Sequence, residues 1–93
     1  MGKFRVIISE NARKDIKKHI KSGNKIVINK IKKILIELED EPEKGIGNPE
    51  PLKYELSGKW SRRISNKDRM IYEVKDKIVT VEVLSAMGHY SDK

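Results

Sequence analysis

Apolar residues recur along this chain with two periods, and the switch between them divides it into a helical and a strand-rich half. From Lys3 to Ile8 the order Lys-Phe-Arg-Val-Ile-Ile alternates and then runs apolar, which predicts a first strand. Ser9 follows as a helix N-cap, with Glu10 in the first turn, where the helix dipole favours a carboxylate. Ala12, Ile16 and Ile20 then recur at helical spacing, with His19 beside them as a structural residue at the edge of the stripe. Ser22-Gly23-Asn24 ends this helix and caps a second. In the second, Ile28, Ile31, Ile34, Leu35 and Leu38 form one stripe, extended toward its start by Ile26 and Val27, while Lys30, Lys32, Lys33, Glu37 and Glu39 fill the other face. Pro42 and Gly45 end it, so the two helices form an antiparallel hairpin.

The segment from Pro42 to Leu52 holds all three prolines and reads as an ordered loop. Beyond it the period drops to two. Trp60–Ile64, Arg69–Lys75 and Ile78–Ser85 read as strands, joined by turns at Asn66-Lys67-Asp68 and Asp76-Lys77. Met70, Tyr72 and Val74 share one face and Arg69, Ile71 and Glu73 the other, while Val79, Val81 and Val83 share a face of the last strand. Short turns make this an antiparallel meander. The expected fold class is α+β: an N-terminal strand and a two-helix hairpin packed on an antiparallel sheet, in one domain over residues 1–93. One sheet face is covered by the helices and the other is left for function.

Composition narrows what that open face does. The chain has 93 residues, with 21 basic against 14 acidic, for a net charge of +7. Such an excess on a small domain favours a polyanionic partner, nucleic acid first and an anionic membrane surface second. The absence of cysteine excludes disulfides and thiolate zinc sites. No segment approaches the roughly 20 apolar residues of a membrane span, and the start of the chain lacks a signal peptide's apolar run, so a cytoplasmic location is expected. Phosphate-binding glycine loops, zinc-protease helices, nucleophile elbows and calcium loops are all missing. With its two histidines far apart, neither a metal nor a cofactor is expected.

Three short segments carry candidate chemistry. In Pro49-Glu50-Pro51 the flanking prolines hold Glu50 in extended backbone, which suits a general base whose position matters and equally suits a plain surface carboxylate. In Trp60-Ser61-Arg62-Arg63-Ile64, alternation sends Arg63 to the open face if Trp60 and Ile64 pack inward. Arg69 shares that face if Met70 and Tyr72 are core, and two guanidiniums there make a phosphate site. Gly88-His89-Tyr90 supplies an acid–base residue and an aromatic, or else a frayed end.

These segments belong to one longer pattern. The run from Gly45 to Ile64, Gly-Ile-Gly-Asn-Pro-Glu-Pro-Leu-Lys followed by Leu-Ser-Gly-Lys-Trp-Ser-Arg-Arg-Ile, continues through Arg69-Met70-Ile71-Tyr72 to His89-Tyr90 and resembles the YoeB (Txe) family of the RelE superfamily of toxins. The resemblance covers nearly the whole chain, and three residues, Ser91 to Lys93, follow Tyr90, where some relatives end. It implies a RelE-like fold and a ribosome-dependent endoribonuclease, without a metal, that cuts mRNA in the A site. It also implies a cognate, YefM-like antitoxin and a tendency to dimerise. By the same resemblance Glu50 is the general base that takes a ribose 2′-hydroxyl proton, His89 the general acid, Arg69 the residue that stabilises the transition state and Tyr90 an orienting residue. Lys53 and Arg63 would hold the RNA backbone, with Arg62 counted beside them. The competing expectations are a gyrase poison like the ParE relatives of this fold and a basic RNA-binding module without catalysis.

Overall fold

The computed structural model describes residues 3–53 and 58–88 of the chain. Strand β1 (Arg5–Ile8) leads into helix α1 (Glu10–Ser22), which Ser9 caps by accepting the Ala12 N–H at 3.1 Å. Gly23 closes α1 in the left-handed region at φ 77°, a conformation that costs glycine little. Asn24 caps α2 (Lys25–Leu38) through the Val27 N–H at 3.2 Å. Strands β2 (Glu50–Pro51), β3 (Lys59–Arg63), β4 (Arg69–Lys75) and β5 (Thr80–Ser85) follow, with a 3-10 turn over Asp76–Ile78 between the last two.

The sheet order is β1-β5-β4-β3-β2. The meander of β2 to β5 is antiparallel as expected, but β1 pairs with β5 in parallel, so the sheet is mixed. The reason is the hairpin: the chain leaves β1, crosses one face as two helices, and returns as the meander, so its last strand runs alongside β1. The core lies between helices and sheet, where Ala12, Val27, Ile31, Ile34 and Leu38 meet Ile64, Met70, Tyr72, Val81 and Val83. Three apolar positions depart from the expected pattern. Ile26 and Ile20 are exposed at the hairpin's turn, beyond the sheet's reach. Val79 lies outside β5, in the left-handed region at φ 49°, because the chain reverses through the 3-10 turn there.

The expectation for Arg62 is also corrected. Its side chain is fully buried and cannot reach RNA. Alternation places it on the inner face with Trp60 and Ile64, and there it becomes a hub. Nη1 donates to Glu37 Oε1 at 2.6 Å and to the Ile46 carbonyl, Nη2 to the carbonyls of Glu41 and Lys44, and Nε to the Tyr72 hydroxyl at 3.1 Å. These five bonds use the five donors of a guanidinium, which is what burying its charge requires. The Tyr72 hydroxyl donates in turn to the Pro42 carbonyl. Burial pushes the Tyr72 phenol above its usual range, against a smaller lowering by Arg62, so it remains a donor. Arg62 thus ties α2, the 41–46 loop and the sheet together. Replacing it with alanine strands the carbonyls of Lys44 and Ile46 and leaves Glu37 Oε1 and the Glu41 carbonyl with only the N–H groups of Ile46 and Lys44. Arg62→Ala is expected to cost about 3–5 kcal/mol in urea unfolding, and a loss under about 1 kcal/mol, the scale of an exposed ion pair, would refute the hub.

Candidate functional site

The Gly-Ile-Gly segment exists to bring the loop onto that hub. A Cβ on Gly45 would stand 2.0 Å from Glu37 Oε1, the oxygen that Arg62 and the Ile46 N–H both use. At Gly47, with φ +83°, a Cβ would stand 2.9 Å from the Arg63 carbonyl oxygen. That close approach lets the Arg63 N–H donate to the Gly47 carbonyl at 2.7 Å. The loop therefore reaches β3 before Pro49, and Glu50–Pro51, expected as loop, extend the sheet by a short edge strand. The Leu52 N–H donates to the Lys59 carbonyl, so by antiparallel alternation Pro51 occupies a pair that needs no N–H.

Register decides what shares the open face. Glu50 pairs with Ser61, Ser61 with Ile71, and Arg63 with Arg69. Directly opposed residues point to the same side, so Glu50, Ser61, Arg63, Arg69 and Ile71 lie together on the face away from the helices. Glu50 and Arg63 are exposed and Arg69 is half-buried. The Glu50 carboxylate accepts a long bond, 3.5 Å, from Asn48 Nδ2. Lys53 is exposed just past β2. Two opposed guanidiniums give an anion seated between them the benefit of both. At the other end of the face Glu73 is opposed by Lys59 on one side and Glu82 on the other, and Lys75 bonds Glu82 at 2.9 Å. That bond raises the Lys75 ammonium above its ordinary range.

His89 and Tyr90 lie outside the described residues, but the chain just before them is anchored at both backbone ends. The Ala86 N–H donates to Asp15 Oδ2 at 2.9 Å, and the Ala86 carbonyl accepts from His19 Nε2 at 2.8 Å, which places the proton on Nε2. Two residues on, the Gly88 N–H donates to Asp68 Oδ1 and its carbonyl accepts from the Arg69 N–H, both at 2.9 Å. Asp68 is itself held by the Ser65 hydroxyl and is nearly buried. His19 is the structural residue the helix stripe suggested. Asp15 and Asp68 were missed, because an acid in a helix and an acid in a turn both look like ordinary surface residues; only the fold brings them to residues 86–88. Among the described residues no group of three or more histidines or acids could hold a metal, and no helix is long and apolar enough to cross a membrane.

The same architecture recurs in solved bacterial toxins. The YoeB dimer from Staphylococcus aureus matches with a TM-score of 0.78 at 31% identity, covering 95% of this chain and 99% of that one. The toxin of the S. aureus YoeB–YefM complex matches with a TM-score of 0.75 at 33% identity, covering 94% and 98%. A two-helix layer over a five-strand mixed sheet is thus the fold this chain shares with YoeB- and RelE-type toxins. The sequence is equally specific: toxin YoeB of Mycobacterium bovis is 46% identical over 61 residues, 66% of this chain and 69% of that protein. Residues 8–90 match the family described as YoeB-like toxin of bacterial type II toxin-antitoxin system, and the chain belongs to that family.

The clamp on residues 86–88 can be checked directly. Asp68→Ala should lower stability by about 1 kcal/mol, the low end of the cost of stranding a donor, since the Gly88 N–H is part-buried, and should speed hydrogen exchange at the Gly88 amide. Asp68→Asn, which keeps the accepting oxygen, should retain most of both. An unchanged Gly88 exchange rate in the alanine variant would show that Asp68 does not hold this segment.

Proposed function

We propose that this toxin is a ribosome-dependent endoribonuclease that cuts mRNA in the A site by attack of a ribose 2′-oxygen on its own 3′-phosphate. The observation that carries the reading is the register that puts Glu50 on one face with the opposed pair Arg63 and Arg69. A carboxylate on one face with two guanidiniums is what this reaction requires. Glu50 takes the 2′-hydroxyl proton, and the 2′-oxygen bonds to phosphorus. The 5′-oxygen leaves, taking a proton from His89, so the products are a 2′,3′-cyclic phosphate and a 5′-hydroxyl. Arg69 and Arg63 meet the added negative charge on the phosphoryl oxygens, while Lys53 tracks the backbone and Tyr90 orients the acid or the base stack. The scheme is complete without a metal.

Glu50 is exposed in the isolated toxin, where water competes for its carboxylate. The ribosome contributes by ordering the mRNA across this face and excluding that water. In the cell the toxin would be held by a YefM-like antitoxin and would pair with a second copy, readings supported by the S. aureus YoeB–YefM complex and YoeB dimer.

Primer extension on a defined mRNA in a reconstituted translation reaction tests the proposal. The wild type should cut at the A-site codon, and Glu50→Gln should bind ribosomes normally while cutting about 10²-fold or more slowly, as loss of a general base implies. Wild-type cutting by Glu50→Gln would remove Glu50 from the chemistry, and intact mRNA with the wild type would remove the nuclease reading.

A further inference from the structure

Ser61 is anomalous. It lies mid-strand on the face away from the helices, flanked across the sheet by Glu50 and Ile71. The residue has no exposed surface, and its Oγ has no hydrogen-bond partner among the described residues. A buried hydroxyl without a partner opposes folding, and alanine would fill the same space without that penalty. The hydroxyl is therefore not explained by the stability of the resting fold.

Its neighbour supplies the explanation. Opposed residues in an antiparallel pair have Cβ atoms about 4.5–5.5 Å apart, so the Glu50 carboxylate reaches Ser61 Oγ by rotating its own side chain. The backbone need not move, and with prolines on either side of Glu50 it cannot move easily. In the resting state the carboxylate rests instead on Asn48, at the 3.5 Å limit of a hydrogen bond and in the open. One side of the pair is a base with a weak partner; the other is a donor with none.

We propose that Ser61 is a positioning residue for Glu50: when RNA covers the face, the carboxylate turns from Asn48 to accept a hydrogen bond from the Ser61 hydroxyl on one oxygen, which aims the other at the ribose 2′-hydroxyl. The inference rests on the reading of Glu50 as the general base. Two consequences separate it from a structural role. A donor to a carboxylate favours its charged form, so Ser61 keeps Glu50 ionised to lower pH during turnover. The hydroxyl is also dispensable for folding.

The test compares wild type, Ser61→Ala, Glu50→Gln and the double variant in single-turnover mRNA cleavage on programmed ribosomes across pH, beside urea unfolding of each. Ser61→Ala should unfold at an equal or higher urea concentration and yet cleave about tenfold more slowly, the effect expected for a lost bond to a charged group. The acid limb of its rate profile should move to higher pH. In the Glu50→Gln background the alanine should have no further effect. A Ser61→Ala variant that cuts at the wild-type rate, or more slowly with an unmoved acid limb, would overturn the proposal while Glu50→Gln stays inactive. So would a destabilised Ser61→Ala, since the hydroxyl would then have a structural partner. If Glu50→Gln itself cuts normally, the reading of Glu50 fails and the role of Ser61 falls with it.

Discussion

A fully buried guanidinium sets the terms for the rest of this molecule. Taking the charge of Arg62 out of water is tolerable only if its donors are all met, and the acceptors come from Glu37 on α2 and from carbonyls of residues 41, 44 and 46, with Tyr72 from the sheet. The three carbonyls belong to a loop whose own backbone bonding is confined to turns, such as the Lys44 N–H to the Glu41 carbonyl at 3.2 Å. The cation at its centre ties those turns to α2 and the sheet. Gly45 and Gly47 follow from the same demand, since side chains there would occupy the space of Glu37 Oε1 and of the Arg63 backbone.

The consequence runs outward from the core to the chemistry. A loop fixed by Arg62 delivers Pro49-Glu50-Pro51 to the edge of β3, and register then places Glu50 beside Ser61 and one pair away from Arg63 and Arg69. Adjacent arginines on one strand thus divide the work: Arg62 faces inward and holds the loop, and Arg63 faces outward where a phosphate would lie. On the opposite side of the site, Asp15, His19, Asp68 and the Arg69 backbone fix the residues that precede His89. The candidate base and the chain leading to the candidate acid are each tied to the helical layer, so the sheet face away from the helices is held from both ends by contacts made on the covered side.

Much of this was legible in the sequence, and the exceptions share a cause. Caps at Ser9 and Asn24, the stripe of α2 and the alternation of β4 are local patterns, and local patterns announce their elements. Alternation even assigned Arg63 and Arg69 to one face. What it did not announce were long-range matters. The parallel pairing of β1 with β5 depends on where two helices return the chain. Arg62 reads as one more RNA contact because basic residues near a basic face look alike, although alternation alone sends it inward; its partners lie 10 to 25 positions away and leave no local trace. Ser61 and Asp68 are small polar residues whose surroundings, not identities, make them unusual. The roles of Glu50 and His89 came from resemblance to a family, and for Glu50 the register now supplies a physical setting that resemblance did not.

The central claim is that this face directs a ribose 2′-oxygen onto the adjacent phosphorus. Only RNA carries that oxygen, so the most direct measurement is single-turnover cleavage, on programmed ribosomes, of an mRNA with one 2′-deoxyribose at the nucleotide 5′ to the cut. The account requires that this message survive intact while the all-ribose message is cut to a 2′,3′-cyclic phosphate. Cleavage of the deoxy-substituted message at an undiminished rate would mean that an external nucleophile does the chemistry, and that Glu50 is not placed to activate the ribose.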